Sequence, residues 1–169
     1  MSAHAILQQY WGYPAFRPLQ EDIIDAVLAG HDTLALLPTG GGKSICFQVP
    51  ALLREGVCIV ISPLIALMKD QVEQLKKRNI SAVAIYSGMS AREIDFHLDN
   101  CVFGNVKFLY VSPERLRTDL FLERARRMQI SLLAVDEAHC ISQWGYDFRP
   151  PYLQIADFRA EIPGINVIA

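Results

Sequence analysis

Six short apolar runs, at residues 33–37, 57–62, 82–86, 107–111, 131–136 and 166–169, are separated by longer stretches with helical periodicity. No other feature constrains the fold as much. Short runs that are apolar at successive positions leave no face for water, so they predict parallel strands buried on both sides. Parallel strands need crossover connections, and the stretches between the runs carry the helices that supply them. In one of these, Leu64, Leu67, Met68, Val72 and Leu75 fall at helical spacing, while Lys69, Asp70, Lys76 and Lys77 are placed to face solvent. Pro18 and Gly30 bracket a helix over residues 19–29. Pro50, inside the helical stretch after Ser44, predicts a kink or an early end. The expected fold is α/β: one domain over residues 1–169, a mostly parallel sheet with helices on both faces, and ligands at the carboxyl ends of the strands. The last run reads as a strand cut off with nothing after it, so a domain truncated at its C-terminal end is expected.

Composition limits the function classes. A chain of 169 residues supports one sizeable core, and 51% hydrophobic with 20% charged residues excludes wholesale disorder. A net charge of −2 offers no bulk attraction for nucleic acid, so any such contact has to come from a local surface. Cys46, Cys58, Cys101 and Cys140 are scattered with no Cys-x-x-Cys pair, which predicts reduced thiols rather than a zinc site or disulfide framework. No apolar run reaches the roughly 18 residues of a membrane span, and Met1-Ser2-Ala3-His4 does not start a signal peptide. A cytoplasmic protein without a membrane partner is expected, or a nuclear one in a eukaryote.

The strongest chemical signal is Leu36-Leu37-Pro38-Thr39-Gly40-Gly41-Gly42-Lys43-Ser44, placed between a strand and a helix. Three glycines let backbone N–H groups wrap a phosphate, and the following helix adds its positive end. Lys43 can then reach the β- and γ-phosphates of a nucleotide, and the Ser44 hydroxyl can ligate Mg²⁺. Leu37 stands where the usual phosphate loop has a glycine. The second signal is Leu132-Leu133-Ala134-Val135-Asp136-Glu137-Ala138-His139, an apolar run ending in two carboxylates. At a strand's carboxyl end, Asp136 can hold Mg²⁺ through its water shell and Glu137 can orient and deprotonate a water. Together the two signals specify nucleoside-triphosphate hydrolysis.

Asp136-Glu137-Ala138-His139 with the Thr39–Ser44 loop resembles the superfamily-two helicases, built on RecA-like lobes. The continuation Cys140-Ile141-Ser142-Gln143-Trp144-Gly145-Tyr146-Asp147-Phe148-Arg149-Pro150 resembles the aromatic-rich loop of the RecQ helicases. That loop senses single-stranded DNA, and Trp144, Phe148 and Arg149 offer the stacking faces and cation for it. Tyr146 and Pro151 depart from the family pattern, where a histidine and an acidic residue are usual. Trp11-Gly12-Tyr13-Pro14-Ala15-Phe16-Arg17-Pro18-Leu19-Gln20 is similar to the family's adenine-recognition segment, which implies Tyr13 and Arg17 around the base and Gln20 on its edge.

The resemblance carries further roles. It implies a catalytic set of Lys43, Asp136, Glu137 and His139, with nucleotide contacts from Thr39, Gly40, Gly41, Gly42, Lys43 and Ser44. Segments beginning Ser62-Pro63 and Ser112-Pro113 are similar to those that touch strand phosphates, which brings in Lys69, Glu114 and Arg115; Ser87-Gly88 is a weaker match. The implied protein is an ATP-dependent 3′-to-5′ DNA helicase acting in repair and recombination. It would use ATP and Mg²⁺ and act on a single-stranded tail at a duplex junction. Only its first RecA-like lobe falls within these residues, and the second lobe, with its arginine finger, would come from the same polypeptide. Two alternatives stay open: an RNA-helicase lobe, and a nucleotide-binding module inactive by itself.

Overall fold

The computed structural model describes residues 1–37, 42–136 and 151–169. Strand β1 (Val57–Ile61) is buried at every position and lies at the centre of a parallel sheet. Around it are β2 (Ala82–Ile85), β3 (Phe108–Val111), β4 (Ile130–Val135) and β5 (Val167–Ile168), in the order β2-β3-β1-β4-β5. Every pairing is parallel. Successive side chains point to opposite faces, so each strand feeds two cores. Val57, Ile59, Ile61, Leu109, Val111, Leu133 and Val135 enter one; Cys58, Val60, Phe108, Tyr110, Leu132 and Ala134 enter the other.

Helices close both faces. On the Cys58 face lie α2 (Gln20–Leu28), α3 (Ile45–Leu53) and α4 (Ile65–Lys77), which contribute Val27, Phe47, Met68, Val72 and Leu75. The opposite face is covered by α5 (Ala91–Phe103), α6 (Asp119–Arg127) and α7 (Pro151–Glu161), through Ile94, Leu98, Phe121 and Phe158. Phe121 and Phe158 lie 5.4 Å apart between ring centroids. Burial of each such side chain contributes about 1.5–3 kcal/mol. Helix α1 (Ala3–Trp11) packs outside this layer, its Ile6 and Leu7 against Ile24, Ile45 and Val49. The expected two-faced α/β architecture is thus present.

Three local features differ from expectation. Residues 33–37 form an isolated parallel bridge, Thr33 to Ile168, rather than a full strand. The Thr33 N–H donates to the Val167 carbonyl (2.8 Å), the Ala169 N–H to the Thr33 carbonyl (3.0 Å) and the Ala35 N–H to the Ala169 carbonyl (2.7 Å). The partner is the two-residue β5, so the ladder is short. Helix α2 does lie between Pro18 and Gly30, with Leu19 capping it in a left-handed conformation (φ 73°). Helix α3 continues past Pro50 to Leu53; the ring removes one backbone bond, but burial from Ile45 to Ala51 holds the helix in place. Leu64 and Leu67 are 46% and 37% exposed. Helix α4 begins only at Ile65 and turns Met68, Val72 and Leu75 inward.

At the amino edge of the sheet one side chain joins three elements. Arg54 Nη1 donates to the Ser131 carbonyl (2.9 Å) and to Asn166 Oδ1 (2.8 Å), and Nη2 to the Val27 carbonyl (2.6 Å). Asn166 Nδ2 in turn donates to the carbonyls of Val27 and His31, both at 3.0 Å. Arg54→Met keeps the apolar stem and removes every donor, at a cost of about 3 kcal/mol. Thermal denaturation should show a melting temperature lower by about 6–12 °C.

Candidate active site

Three strand ends stand side by side on the carboxyl edge. β1 runs into Ser62, β3 into Ser112 and β4 into Asp136. The Asp136 N–H donates to the Ile61 carbonyl (2.9 Å) and the Ser62 N–H to the Val111 carbonyl (3.0 Å), so the sheet fixes their backbones together. Asp136 is 8% exposed, and its Oδ2 accepts from Gln71 Nε2 of α4 at 2.8 Å. Gln71 Oε1 accepts from the Tyr110 hydroxyl (2.6 Å), which accepts from Gln48 Nε2 of α3 (3.3 Å). Burial pushes the Tyr110 phenol well above its ordinary value, against the opposing effect of the Gln48 hydrogen bond, and keeps it a neutral hydroxyl.

The loop that opens α3 is tied down from the other side. Gly42 has φ 76°, and its carbonyl accepts from Gln20 Nε2 at 3.0 Å. Gln20 Oε1 accepts from the Arg17 N–H at 2.8 Å, and Gln20 is 2% exposed. A Cβ at position 42 would stand 2.3 Å from Gln20 Nε2, so both the backbone angle and the close approach call for glycine. Lys43 and Ser44 follow, both half-buried. Ser44 is the N-cap residue of α3 but makes no side-chain cap bond. Tyr13 is 46% exposed.

The profile of the DEAD/DEAH box helicases matches residues 17–165. The chain belongs to the DEAD/DEAH box helicase family. Among curated relatives it is 44% identical, over 164 residues, to a probable ATP-dependent DNA helicase RecS of Bacillus subtilis, covering 96% of this chain and 33% of that protein. The ATP-dependent DNA helicase RecQ of the same organism is 49% identical over 154 residues, covering 90% and 26%. The ATP-dependent helicase SGS1 of Saccharomyces cerevisiae is 41% identical, covering 96% and 12%. The chain therefore spans about a third or less of the relatives it matches. A solved structure of a hypothetical ATP-dependent RNA helicase from Sulfolobus tokodaii superposes with a TM-score of 0.72 at 17% identity, covering 98% of this chain and 48% of that one. At that identity the match speaks for the fold, which is RecA-like.

In this DEAD/DEAH domain the described oxygen donors suit Mg²⁺. The Ser44 hydroxyl and the Asp136 carboxylate are hard ligands, and Mg²⁺ keeps several waters and leans on substrate phosphates instead of an all-protein cage. Among the described residues no group of three or more His, Cys, Asp or Glu gathers to hold a metal, and no helix is long and apolar enough to cross a membrane. Thr39, Gly40, Gly41, Glu137, His139, Trp144, Phe148 and Arg149 lie outside the described residues.

The segments expected to meet strand phosphates follow β1 and β3 directly. Ser62 and Ser112 are 0% and 2% exposed, so both hydroxyls lie within the sheet edge. Among the described residues Ser112 Oγ and Arg115 Nε have no hydrogen-bond partner. Pro63 is half-buried and Glu114 exposed. Lys69 holds its ammonium 4.6 Å over the Tyr86 ring. Cys46, Cys58 and Cys101 are free and buried, and burial pushes the thiols of Cys46 and Cys101 up to about 11 and about 12, which removes them as nucleophiles. Sequence reasoning missed Gln48, Tyr110 and Gln71 as site residues. Gln71 lies nine residues after Ser62, and nothing in its spacing points to Asp136.

Proposed function

We propose that this chain is the first motor lobe of a RecQ-type, ATP-dependent DNA helicase. The observation that carries the reading is the set of hydrogen bonds from Gln48, on the helix that Lys43 and Ser44 open, through Tyr110 and Gln71 to Asp136. It fixes the phosphate-loop helix and the acidic strand end in one frame on the carboxyl edge. Names of the curated relatives support ATP and DNA as the ligands.

On this reading the Thr39–Ser44 loop cradles the phosphates, with Lys43 on the γ-phosphate. Tyr13 and Arg17 flank the adenine, and Gln20 both reads its edge and ties the base segment to Gly42. Ser44 and Asp136 would hold Mg²⁺, which would offset negative charge on the bound phosphates. Glu137 takes the proton of the attacking water, with His139 completing the Asp-Glu-Ala-His run. The segments around Ser62, Lys69, Ser112 and Arg115, with Trp144, Phe148 and Arg149, meet single-stranded DNA. Motion along the strand in the 3′-to-5′ direction needs a second RecA-like lobe of the same polypeptide.

The test is hydrolysis by the full-length protein with single strands of DNA or RNA of equal length. The two strands differ in the 2′-hydroxyl, so a site shaped for DNA should be stimulated clearly more by DNA than by RNA. Duplexes with 3′ tails should unwind and those with 5′ tails should not. Equal stimulation by RNA would establish the RNA-helicase reading instead.

A further inference from the structure

We infer that Gln71 is a positioning residue for Asp136, and that through it α4 links the strand-contacting segment to the metal site; this rests on the function proposed above. The chemistry of the contact fixes its direction. A carboxylate only accepts hydrogen bonds, so the Gln71 edge facing Asp136 Oδ2 at 2.8 Å is its NH₂. The amide oxygen then faces Tyr110, whose hydroxyl donates to it at 2.6 Å. That leaves the hydroxyl oxygen to accept, and Gln48 Nε2 donates to it at 3.3 Å. Each bond in the series sets the polarity of the next. A Gln71 amide turned over would put oxygen against oxygen at Asp136 and nitrogen against the donating hydroxyl.

The surroundings make this arrangement rigid. Tyr110 is fully buried between α3 and α4 on the Cys58 face, and Gln48 is 5% exposed. An unmet donor or acceptor in such a place is costly, so the three side chains hold one another in register. Gln71 lies on the same helix as Lys69, and that helix starts directly after Ser62-Pro63-Leu64. Strand binding that shifts α4 therefore moves the donor that aims Asp136. The sheet holds the Asp136 backbone through Ile61, so Gln71 sets the orientation of the carboxylate while the strand sets its place.

The experiment replaces Mg²⁺ with Mn²⁺ and follows its binding to the full-length protein with ADP by electron paramagnetic resonance. ADP affinity is measured separately in EDTA. Gln71→Met removes the donor at similar volume and should weaken Mn²⁺ binding about tenfold, the effect of losing one charge-assisted bond. Metal-free ADP affinity should not change. Tyr110→Phe, which keeps the core filled, should weaken Mn²⁺ about threefold by releasing the Gln71 amide. In the unmodified protein single-stranded DNA should shift the Mn²⁺ midpoint; in Gln71→Met that shift should vanish while DNA affinity is retained. Unchanged Mn²⁺ affinity in both variants overturns the inference, as does equal loss of metal-free ADP binding, which would mark a purely structural role. Failure of the unmodified protein to bind Mn²⁺ with ADP would instead overturn the proposed function.

Discussion

Lys43→Ala should lower ATP hydrolysis by at least about 10²–10³-fold, the loss that follows removal of one fixed donor to transition-state charge. Lys43 stands directly before the first residues of α3 and after the left-handed Gly42. On the proposed reading its ammonium meets the γ-phosphate, where charge develops as the phosphoryl group is transferred. Among the described residues no hydrogen bond or ion pair ties that ammonium to the protein. Its removal therefore leaves no orphaned partner, and the melting temperature should move by only about 1–2 °C, as for a surface change. Steady-state phosphate release, beside a thermal melt, checks both halves. Near-normal turnover would remove Lys43 from the γ-phosphate.

The second large effect concerns residues 1–169 taken by themselves. They should bind MgATP yet hydrolyse it about 10³–10⁵-fold more slowly than the full-length protein, the usual contribution of an arginine finger in phosphate-loop enzymes. On the proposed reading ground-state binding draws on Gly42, Lys43, Ser44 and Asp136, all of which these residues contain. On the proposed reading the finger belongs to a second lobe. Arg159 is engaged elsewhere: its Nη2 lies 2.6 Å from the Asp32 carboxylate. Calorimetry gives the affinity, and phosphate release with and without single-stranded DNA gives the rate. DNA-stimulated turnover equal to that of the full-length protein would show that one lobe is sufficient.

The architecture was legible because burial on both faces of a parallel sheet writes itself into consecutive apolar residues such as Val57–Ile61. The Thr39–Ser44 run and Asp136 could be picked out as candidates because each motif is contiguous in sequence. Where the reading erred, tertiary geometry outweighed a local rule. Leu64 and Leu67 match a helical stripe, but the helix starts too late and turns other residues inward. Pro50 reads as a helix breaker, yet packing on α3 outweighs the lost bond. The Gln48, Tyr110 and Gln71 series left no trace at all. Its bonds join residues 62, 39 and 65 positions apart, and a buried Tyr in an apolar strand looks like any other core residue.

The pairing of Thr33 and Ala35 with residues 167–169 has a bearing on how the protein matures. Residues 33–37, which lead toward the proposed phosphate loop, are made early, but their backbone partners leave the ribosome more than a hundred residues later. Closing so long a loop is slow, and the central strands β1, β3 and β4 have nearer partners that can associate first. On the proposed reading, nucleotide affinity is then acquired only after most of this sheet is assembled. A nascent chain halted before Val167 would hold a nearly complete core and an unanchored entry to its phosphate loop.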